Sequence, residues 1–332
     1  MEPQASNAVT LRMADSIDEV QRKGVPHVVD FTVLQLNDVY EVASVEGGRR
    51  GGLARVATLR KQLAKENPNF LAVMIGDFLS PSAIGATTND SGLHMIEALN
   101  AMGLTHATMG NHEFDIPESE LLLRIAESHF QWIVSNVTNG QGKLHAGVEK
   151  NAVIEFSNAS GEKARVALIG VCLDMVKKSW LKYQNPIESA REQVAALDGK
   201  ADVFLTMTHL TIEEDKQLGA SVPRLDVLMG GHEHEAARAI VGDDATPIFK
   251  ADSNARTAFV HRFRFDTQTG TTLLFPELVT IDARFEEDPE TATIVRKWEK
   301  MTYDTLRAQG NEPLEVVGRT AVALNGAEAD LR

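Results

Sequence analysis

Five short polar segments constrain the fold of this chain more than any other feature, because each one follows a run of apolar residues of strand length. The segments are Asn37–Tyr40, Gly76-Asp77, Gly110–Asp115, Thr208-His209 and Gly230–His234. In an open α/β sheet, ligands bind beyond the carboxyl ends of the strands. The pattern therefore predicts a sheet protein in which these five segments share one polar site.

Apolar, β-branched runs alternate with helical stretches through most of the chain, which predicts a sheet with helices on its faces. The predicted strands are Phe31–Leu36, Phe70–Ile75, Ala107–Met109, Trp132–Ser135, Val166–Val171, Val203–Met207 and Leu225–Met229. The predicted helices are Leu53–Lys65, Ser91–Met102, Glu118–Ser128, Pro186–Leu197 and Pro289–Gln309. Two later strands, Ala258–Phe265 and Thr271–Val279, have no helix between them and indicate an antiparallel part. Together these elements favour a two-sheet sandwich flanked by helices.

The two ends of the chain differ from its centre. Residues 1–25 are predicted to form an N-terminal tail with one short helix around Ser16–Lys23. A main domain over 26–288 and a linker helix over 289–310 follow. The strand-like runs Leu314–Thr320 and Ala321–Leu324 either complete the main sheet or begin another unit.

Charge and composition narrow the possible partners. The chain has 332 residues and a net charge of −14, which disfavours binding to nucleic acid. No apolar run is long enough to span a membrane, and the single cysteine, Cys172, cannot form an intramolecular disulfide. The first residues lack the apolar core of a signal peptide, so we expect a cytoplasmic protein if Met1 is native and a periplasmic or secreted one if a signal was removed.

The residue types in the five segments suit a pair of metal ions. Aspartate can bridge two metals, and neutral imidazole is a good ligand for zinc, manganese, cobalt or iron. Asp38 and Tyr40 are predicted to face one side of a strand end, because residues i and i+2 of a strand point the same way. The predicted ligands are Asp38, Tyr40, Asp77, Asn111, His209, His232 and His234, with Asp77 as the bridge. Two metals about 3.5–4 Å apart can activate a water that attacks phosphorus and can clamp a phosphoryl group.

A histidine and an aspartate beside these ligands are predicted to form the catalytic pair. His112 follows Asn111 directly, and Asp115 lies three residues later. A carboxylate behind an imidazole raises its pKa and favours the protonated form, which suits a general acid for the leaving group. Asn111 and His112 are also the predicted substrate-binding residues.

These motifs resemble the N-terminal catalytic domain of the 5′-nucleotidase branch of the calcineurin-like metallophosphoesterases. The resemblance extends from about Phe31 to Arg332 and includes Gly51-Gly52-Leu53-Ala54-Arg55 and Ser135-Asn136-Val137. It implies a four-layer α/β/β/α sandwich and hydrolysis of nucleotide phosphate monoesters, or alternatively of cyclic nucleotides or nucleotide sugars. It also implies that Asp38, Asp77 and His234 hold one metal, and that Asp77, Asn111, His209 and His232 hold the other. Members continue into a nucleotide-binding domain, so residues 311–332 are expected to begin a truncated copy of it.

One position departs from the family pattern, which usually reads Asp-x-His where this chain has Asp38-Val39-Tyr40. Tyr40 is either a phenolate ligand, a residue left unligated beside water, or a packing or substrate contact. The pKa of free tyrosine is about 10, so a divalent ion would deprotonate it poorly, whereas Fe(III) would succeed. Purple acid phosphatases use a tyrosine on ferric iron, but from a Gly-Asp-x-x-Tyr motif in which this chain has Ser80. The expected cofactors are therefore two Mn, Zn or Co ions, or a pair containing Fe(III) if Tyr40 is a ligand.

Two rival functions remain open. A metal-binding scaffold without catalysis would explain Tyr40 but not an intact His112–Asp115 pair. A nuclease of the same fold is disfavoured because the chain has no basic stripe. The expected partner is a small nucleotide or phosphate ester, with no nucleic acid and no membrane, and the oligomeric state is left undefined.

Overall fold

Two mixed β-sheets lie face to face in the computed structural model, which describes residues 10–21, 24–316 and 318–319. The strands are β1 (Thr10–Met13), β2 (Val28–Leu36), β3 (Ser44–Val45), β4 (Arg50–Gly51), β5 (Phe70–Ile75), β6 (His106–Thr108), β7 (Gln131–Ile133), β8 (Val137–Asn139), β9 (Val148–Glu149), β10 (Asn151–Ser157), β11 (Lys163–Cys172), β12 (Leu181–Tyr183), β13 (Val203–His209), β14 (Val227–Gly230), β15 (Ala237–Val241), β16 (Thr246–Lys250), β17 (Thr257–Asp266) and β18 (Thr271–Thr280). The larger sheet has the order β1-β18-β17-β2-β5-β6-β7-β9, and the smaller has the order β10-β11-β13-β14-β16-β15. β8 pairs with β12 and β3 with β4 in two-stranded ribbons.

Parallel pairing in the centre of each sheet sends several strands toward the same edge. β2, β5, β6 and β7 run parallel in the larger sheet, and β11, β13, β14 and β16 run parallel in the smaller. β17 pairs antiparallel with both β2 and β18, as the helix-free stretch of sequence predicts. The carboxyl ends of the parallel strands therefore supply one contiguous edge.

Burial on both faces explains why the central strands are continuous apolar runs in the sequence. Alternate residues of β5, Leu71, Val73 and Ile75, pack between the two sheets, while Phe70, Ala72 and Met74 pack against the outer helices. A strand that is buried on both faces has no polar side to present. All six residues of β5 and all seven of β13 are buried accordingly.

Helices cover the outer faces of both sheets, which confirms the four-layer α/β/β/α sandwich. They are α1 (Ile17–Gln21), α2 (Leu53–Glu66), α3 (Ala83–Thr88), α4 (Leu93–Met102), α5 (Glu118–Glu127), α6 (Pro186–Ala196), α7 (Ile212–Ser221) and α8 (Pro289–Ala308). The apolar positions of α2 all face inward, including Leu53, Val56, Leu59 and Leu63. Among the described residues, no helix is long and apolar enough to cross a bilayer.

The ends of the chain differ in part from the sequence expectation. The short helix in residues 1–25 is present as α1, but β1 is not predicted, because four residues are too few to show a period. The predicted linker helix, α8, packs on the main domain through Val295 and Trp298, and the Trp298 indole N–H donates to Glu97 at 2.8 Å. The described residues of Leu314–Thr320 form no strand. Ala321–Leu324 and the remainder of the proposed second domain lie outside the described residues.

Candidate metal centre

All five polar segments come together at the common edge of the two sheets. Three follow β2, β5 and β6 of the larger sheet, and two lie at the ends of β13 and β14 of the smaller. Potential ligand atoms of Asp77, His209 and His232 lie within 4.8 Å of one another, and so do those of Asp38, Asp77 and His234. Asp77 is common to both groups.

We call Asp77, Asn111, His209 and His232 the inner group, and Asp38, Tyr40 and His234 the outer group. The other predicted residues adjoin this cluster: the Tyr40 hydroxyl and the backbone N–H of His112 contact Asp77, Asn111 precedes His112, and Asp115 bonds to the His112 ring. The expected strand-end geometry for Asp38 and Tyr40 is wrong, however, because β2 ends at Leu36 and both residues lie in the loop that follows. Asp38 has a left-handed backbone, with φ of 52°. The loop, not strand alternation, brings the two side chains together.

Two glycines allow the loops to approach closely enough to form the inner group. A Cβ at Gly76 would lie 2.5 Å from the backbone nitrogen of Gly110, and a Cβ at Gly110 would lie 2.2 Å from Oδ1 of Asp77. Real Cβ contacts of that length do not occur, so any larger residue would push the loops apart. The glycine in each motif is therefore a requirement of the site geometry.

Buried atoms of the inner group have the hydrogen-bonding pattern of metal ligands. Nδ1 of His209 lies 2.9 Å from the carbonyl oxygen of Ile75, which favours a proton on Nδ1 and directs Nε2 into the site. Nε2 of His209 lies 3.1 Å from Oδ2 of Asp77, and among the described residues Oδ1 of Asn111 is buried without a hydrogen-bond partner. Such an atom costs about 1–3 kcal/mol when nothing satisfies it, and a cation held at this position would satisfy it. The inner group fits a metal ion.

The outer group is more open and is held differently. Oδ2 of Asp38 accepts hydrogen bonds from Nδ2 of Asn37 at 2.9 Å and from the backbone N–H of His232 at 2.8 Å, which leaves Oδ1 facing the site. The Tyr40 hydroxyl lies 3.1 Å from Oδ2 of Asp77 and 2.9 Å from Nε2 of His234. The side chain of His234 is 49% exposed, whereas that of His209 is fully buried.

The electrostatics of the two groups follow from the carboxylates. Burial alone would lower the pKa of His209, but Asp77 and Asp38 outweigh it and raise the pKa to about 10. Burial, with the same two carboxylates, raises the pKa of the Tyr40 hydroxyl far above its usual range. The site therefore attracts positive charge and holds Tyr40 as a neutral phenol.

His112 and Asp115 form the predicted pair at the open side of the cluster. Nδ1 of His112 lies 2.6 Å from Oδ2 of Asp115, and the backbone N–H of His112 donates to Oδ1 of Asp77 at 2.8 Å. Burial alone would lower the pKa of His112, but the hydrogen bond to Asp115 and the charge of Asp77 outweigh it and raise the pKa. The side chains are 34% and 40% exposed, so a substrate can reach the imidazole.

Glu113 is a residue of the site to which the sequence reasoning assigned no role. Its fully buried carboxylate accepts hydrogen bonds from the backbone N–H groups of Asp77 (2.8 Å), Phe78 (2.8 Å), Leu79 (3.1 Å) and Gly110 (2.6 Å). It thereby fixes the loop after β5 to the loop after β6. Its position inside the Gly-Asn-His-Glu motif was a usable signal.

A buried lysine behind the inner group was also missed. Nζ of Lys250 donates to the carbonyl oxygens of Leu210 and Gly231, each at 2.7 Å, lies 2.8 Å from Oδ2 of Asp215 and contacts Glu233. Lys250 is 1% exposed. Because Leu210 follows His209 and Gly231 precedes His232, this cation joins the two histidine loops. A single lysine at the end of an apolar strand gave no signal of that role.

Comparison with known proteins agrees with the fold. The model of the calcineurin-like phosphoesterase family matches residues 31–236. The trifunctional nucleotide phosphoesterase YfkN of Bacillus subtilis is 26% identical over 213 residues, which cover 55% of this chain and 15% of that protein. The 5′-nucleotidase of Rattus norvegicus is 23% identical over 341 residues, which cover 91% of this chain and 57% of that protein. The chain thus spans only part of these curated relatives.

Solved structures give the same picture of the fold. The crystal structure of calcineurin-like phosphoesterase YfkN from Bacillus subtilis superposes with a TM-score of 0.72 at 18% identity, covering 84% of this chain and 99% of that one. The 5′-nucleotidase precursor from Thermus thermophilus gives a TM-score of 0.71 at 18% identity, covering 84% of this chain and 59% of that one.

Proposed function

Since this chain belongs to the calcineurin-like phosphoesterase family, we propose that it is a dinuclear metal-dependent phosphatase of nucleotides, of the 5′-nucleotidase type. The observation that carries this proposal is the sharing of Asp77 between two potential ligand groups beside an accessible His112–Asp115 pair. Two metals with a common carboxylate are the usual machinery for displacement at phosphorus.

The inner group would hold one ion through Asp77, Asn111, His209 and His232. The second ion would be held by Asp38 and His234 of the outer group together with Asp77, and Tyr40 would lie beside that ion. When bound, such a pair neutralises phosphate charge and activates a water. The net charge of −14 makes this local positive charge necessary for an anionic substrate to enter.

His112 and Asp115 supply the proton chemistry. Asp115 accepts the Nδ1–H of His112, which orients the ring and leaves Nε2 as the proton donor. In its protonated form His112 transfers that proton to the leaving oxygen of the ester, and a neutral alcohol leaves more readily than an alkoxide. Asn111 and the adjacent His112 would also contact the transferred phosphate group.

The preference for nucleotides rests on relatives whose names include a nucleotide phosphoesterase and a 5′-nucleotidase. The decisive experiment measures phosphate release from p-nitrophenyl phosphate, nucleoside monophosphates, cyclic nucleotides and nucleotide sugars, with manganese, zinc, cobalt or iron added to metal-free protein. We expect metal-dependent release, fastest from nucleoside monophosphates, and at least a tenfold loss in His112→Ala, since general acids contribute about 10²–10⁴-fold. Stoichiometric metal binding without turnover on any substrate would identify a scaffold instead.

A further inference from the structure

Asn254 lies in the turn between β16 and β17 and is bonded to the loop that carries the outer group. Its side-chain Oδ1 accepts hydrogen bonds from the backbone N–H of Tyr40 at 2.9 Å and of Glu41 at 3.1 Å. Its own backbone N–H donates to the carbonyl oxygen of Asp38 at 2.8 Å. The neighbouring Ser253 N–H donates to the carbonyl oxygen of His234 at 3.0 Å. One short turn therefore contacts the backbone of all three outer-group residues.

The turn is shaped for this contact. Asn254 and Ala255 both have left-handed backbones, with φ of 55° and 50°, and asparagine is among the residues that tolerate this conformation best. Gly51 lies against the turn, where a Cβ would be only 2.4 Å from the carbonyl oxygen of Asn254. Gly51 belongs to the Gly-Gly-Leu-Ala-Arg segment, which gives that segment a role in seating the turn.

The position of the Tyr40 hydroxyl depends on the backbone that Asn254 holds. Tyrosine is long and rigid, so a small displacement at its Cα moves the hydroxyl by a comparable distance. That hydroxyl lies 3.1 Å from Oδ2 of Asp77 and 2.9 Å from Nε2 of His234. It therefore adjoins the potential ligand atoms of the outer group. The same loop carries Asp38, two residues before Tyr40, so the Asn254 side chain supports a carboxylate of the outer group as well as the tyrosine. The inner group is supported instead by Glu113 and Lys250.

We infer that Asn254 is a positioning residue that sets the geometry of the outer group alone, and so controls the second of two metal ions without affecting the first. This inference rests on the proposed dinuclear function. Side chains that support a ligand without touching the metal contribute about 10–100-fold to metal affinity. We expect Asn254 to contribute within that range at one ion and nothing measurable at the other.

Two variants separate the side-chain acceptor from the backbone conformation. Asn254→Gly removes Oδ1 but keeps a residue that accepts positive φ, and Asn254→Asp keeps an oxygen acceptor. Calorimetric titration of metal-free protein with manganese should give two binding events for the wild type and for Asn254→Asp. In Asn254→Gly the affinity of one binding event should fall by about tenfold or more, while the affinity of the other is unchanged. Equal affinities for both ions in Asn254→Gly, or equal losses at both, would overturn the inference.

A second readout requires no metal. The chain has three tyrosines, so ring-labelled tyrosine gives a short NMR spectrum in which Tyr40 is assigned by Tyr40→Phe. In metal-free Asn254→Gly we expect the Tyr40 signal to shift while those of Tyr183 and Tyr303 stay. An unmoved Tyr40 signal contradicts the positioning role by itself. If the shift occurs but the wild type binds no metal, the proposed function fails and the control of a second ion fails with it.

Discussion

The inner and outer groups lie on two sides of Asp77 but differ in how the protein supports them. The inner histidine His209 is fully buried and is oriented by a backbone carbonyl, and its loop is joined to the His232 loop by Lys250. The outer histidine His234 is half exposed, and the outer loop is held through the turn at Asn254. The inner group is thus supported by buried contacts, whereas the outer group depends on one loop and includes an unusual tyrosine.

The comparison shows that Tyr40, which replaces the histidine usual in the family, lies in the group whose surroundings tolerate a substitution better. A replacement in the inner group would disturb several buried hydrogen bonds, but Tyr40 lies at the more open side and reaches both Asp77 and His234. The two ions are therefore expected to bind with different affinities. Four experiments test the comparison between the two groups.

The largest expected effect is on the stability of the inner support. Lys250→Met should lower the free energy of unfolding by about 3–5 kcal/mol, because it leaves Asp215 and Glu233 without their buried cation. Urea denaturation measures the change. The control is Lys177→Met, which breaks an exposed pair with Asp174 and should cost less than about 1 kcal/mol. Similar values for the two variants would show that Lys250 does not support the inner loops.

Removal of one histidine from each group should have unequal consequences for activity. His209→Ala is expected to lower kcat/KM by more than about 100-fold, the upper end of what supporting residues contribute, because it removes a buried ligand. His234→Ala should cost less, since its ion is held more loosely. Phosphatase assays over a metal titration give both values. A larger loss of kcat/KM in His234→Ala than in His209→Ala would contradict the expectation that the inner group binds its ion more tightly.

Replacement of Tyr40 tests the ligand set of the outer group. With manganese or zinc, Tyr40→His should raise the affinity for the more weakly bound ion by about tenfold, or about 1.4 kcal/mol. The reason is that imidazole is a good ligand for divalent metals, whereas a protonated phenol is a poor one. Calorimetry on metal-free protein measures the affinity. With ferric iron, a visible charge-transfer band that disappears in Tyr40→Phe would instead identify a phenolate ligand. A colourless protein that is fully active with two zinc or manganese ions would exclude the phenolate.

The smallest expected effect is a shift in the pH profile. In the proposed mechanism His112 acts in its protonated form, so activity should be lost as the pH rises through its pKa. Asp115 helps to raise that pKa, and Asp115→Asn should therefore move the alkaline limb of the kcat/KM profile to lower pH. Tyr40→Phe should leave this limb in place, because it keeps the ring that lies edge-on 5.9 Å from the His112 ring, and the hydroxyl that it removes bonds to Asp77 and His234 instead of His112. An unmoved limb in Asp115→Asn would remove Asp115 from the proton chemistry.

The sequence was most informative where chemistry and periodicity coincide. The strand Phe70–Ile75 followed by Gly76-Asp77 could be located to the residue, because a doubly buried strand is apolar throughout and the proposed ligand comes directly after it. The supporting residues could not be found in this way. Lys250 and Asn254 act from loops and strand ends that are distant in sequence from the side chains they hold, and neither belongs to a periodic pattern. The loop position of Asp38 and Tyr40 was likewise hidden, since left-handed backbone at an aspartate has no compositional signature.

The backbone angles of the proposed ligands have a consequence for laboratory evolution. Asp38, Asp77, His232 and His234 have φ values of 52°, 55°, 84° and 62°, a region that costs a residue with a Cβ about 1–2 kcal/mol. A screen for heat resistance alone should therefore collect glycine at these positions, above all at the two histidines, and each such gain would erase a proposed ligand. Libraries made from this protein should be sorted for catalysis and thermal tolerance together, because its most easily improved positions are also the ones it can least spare.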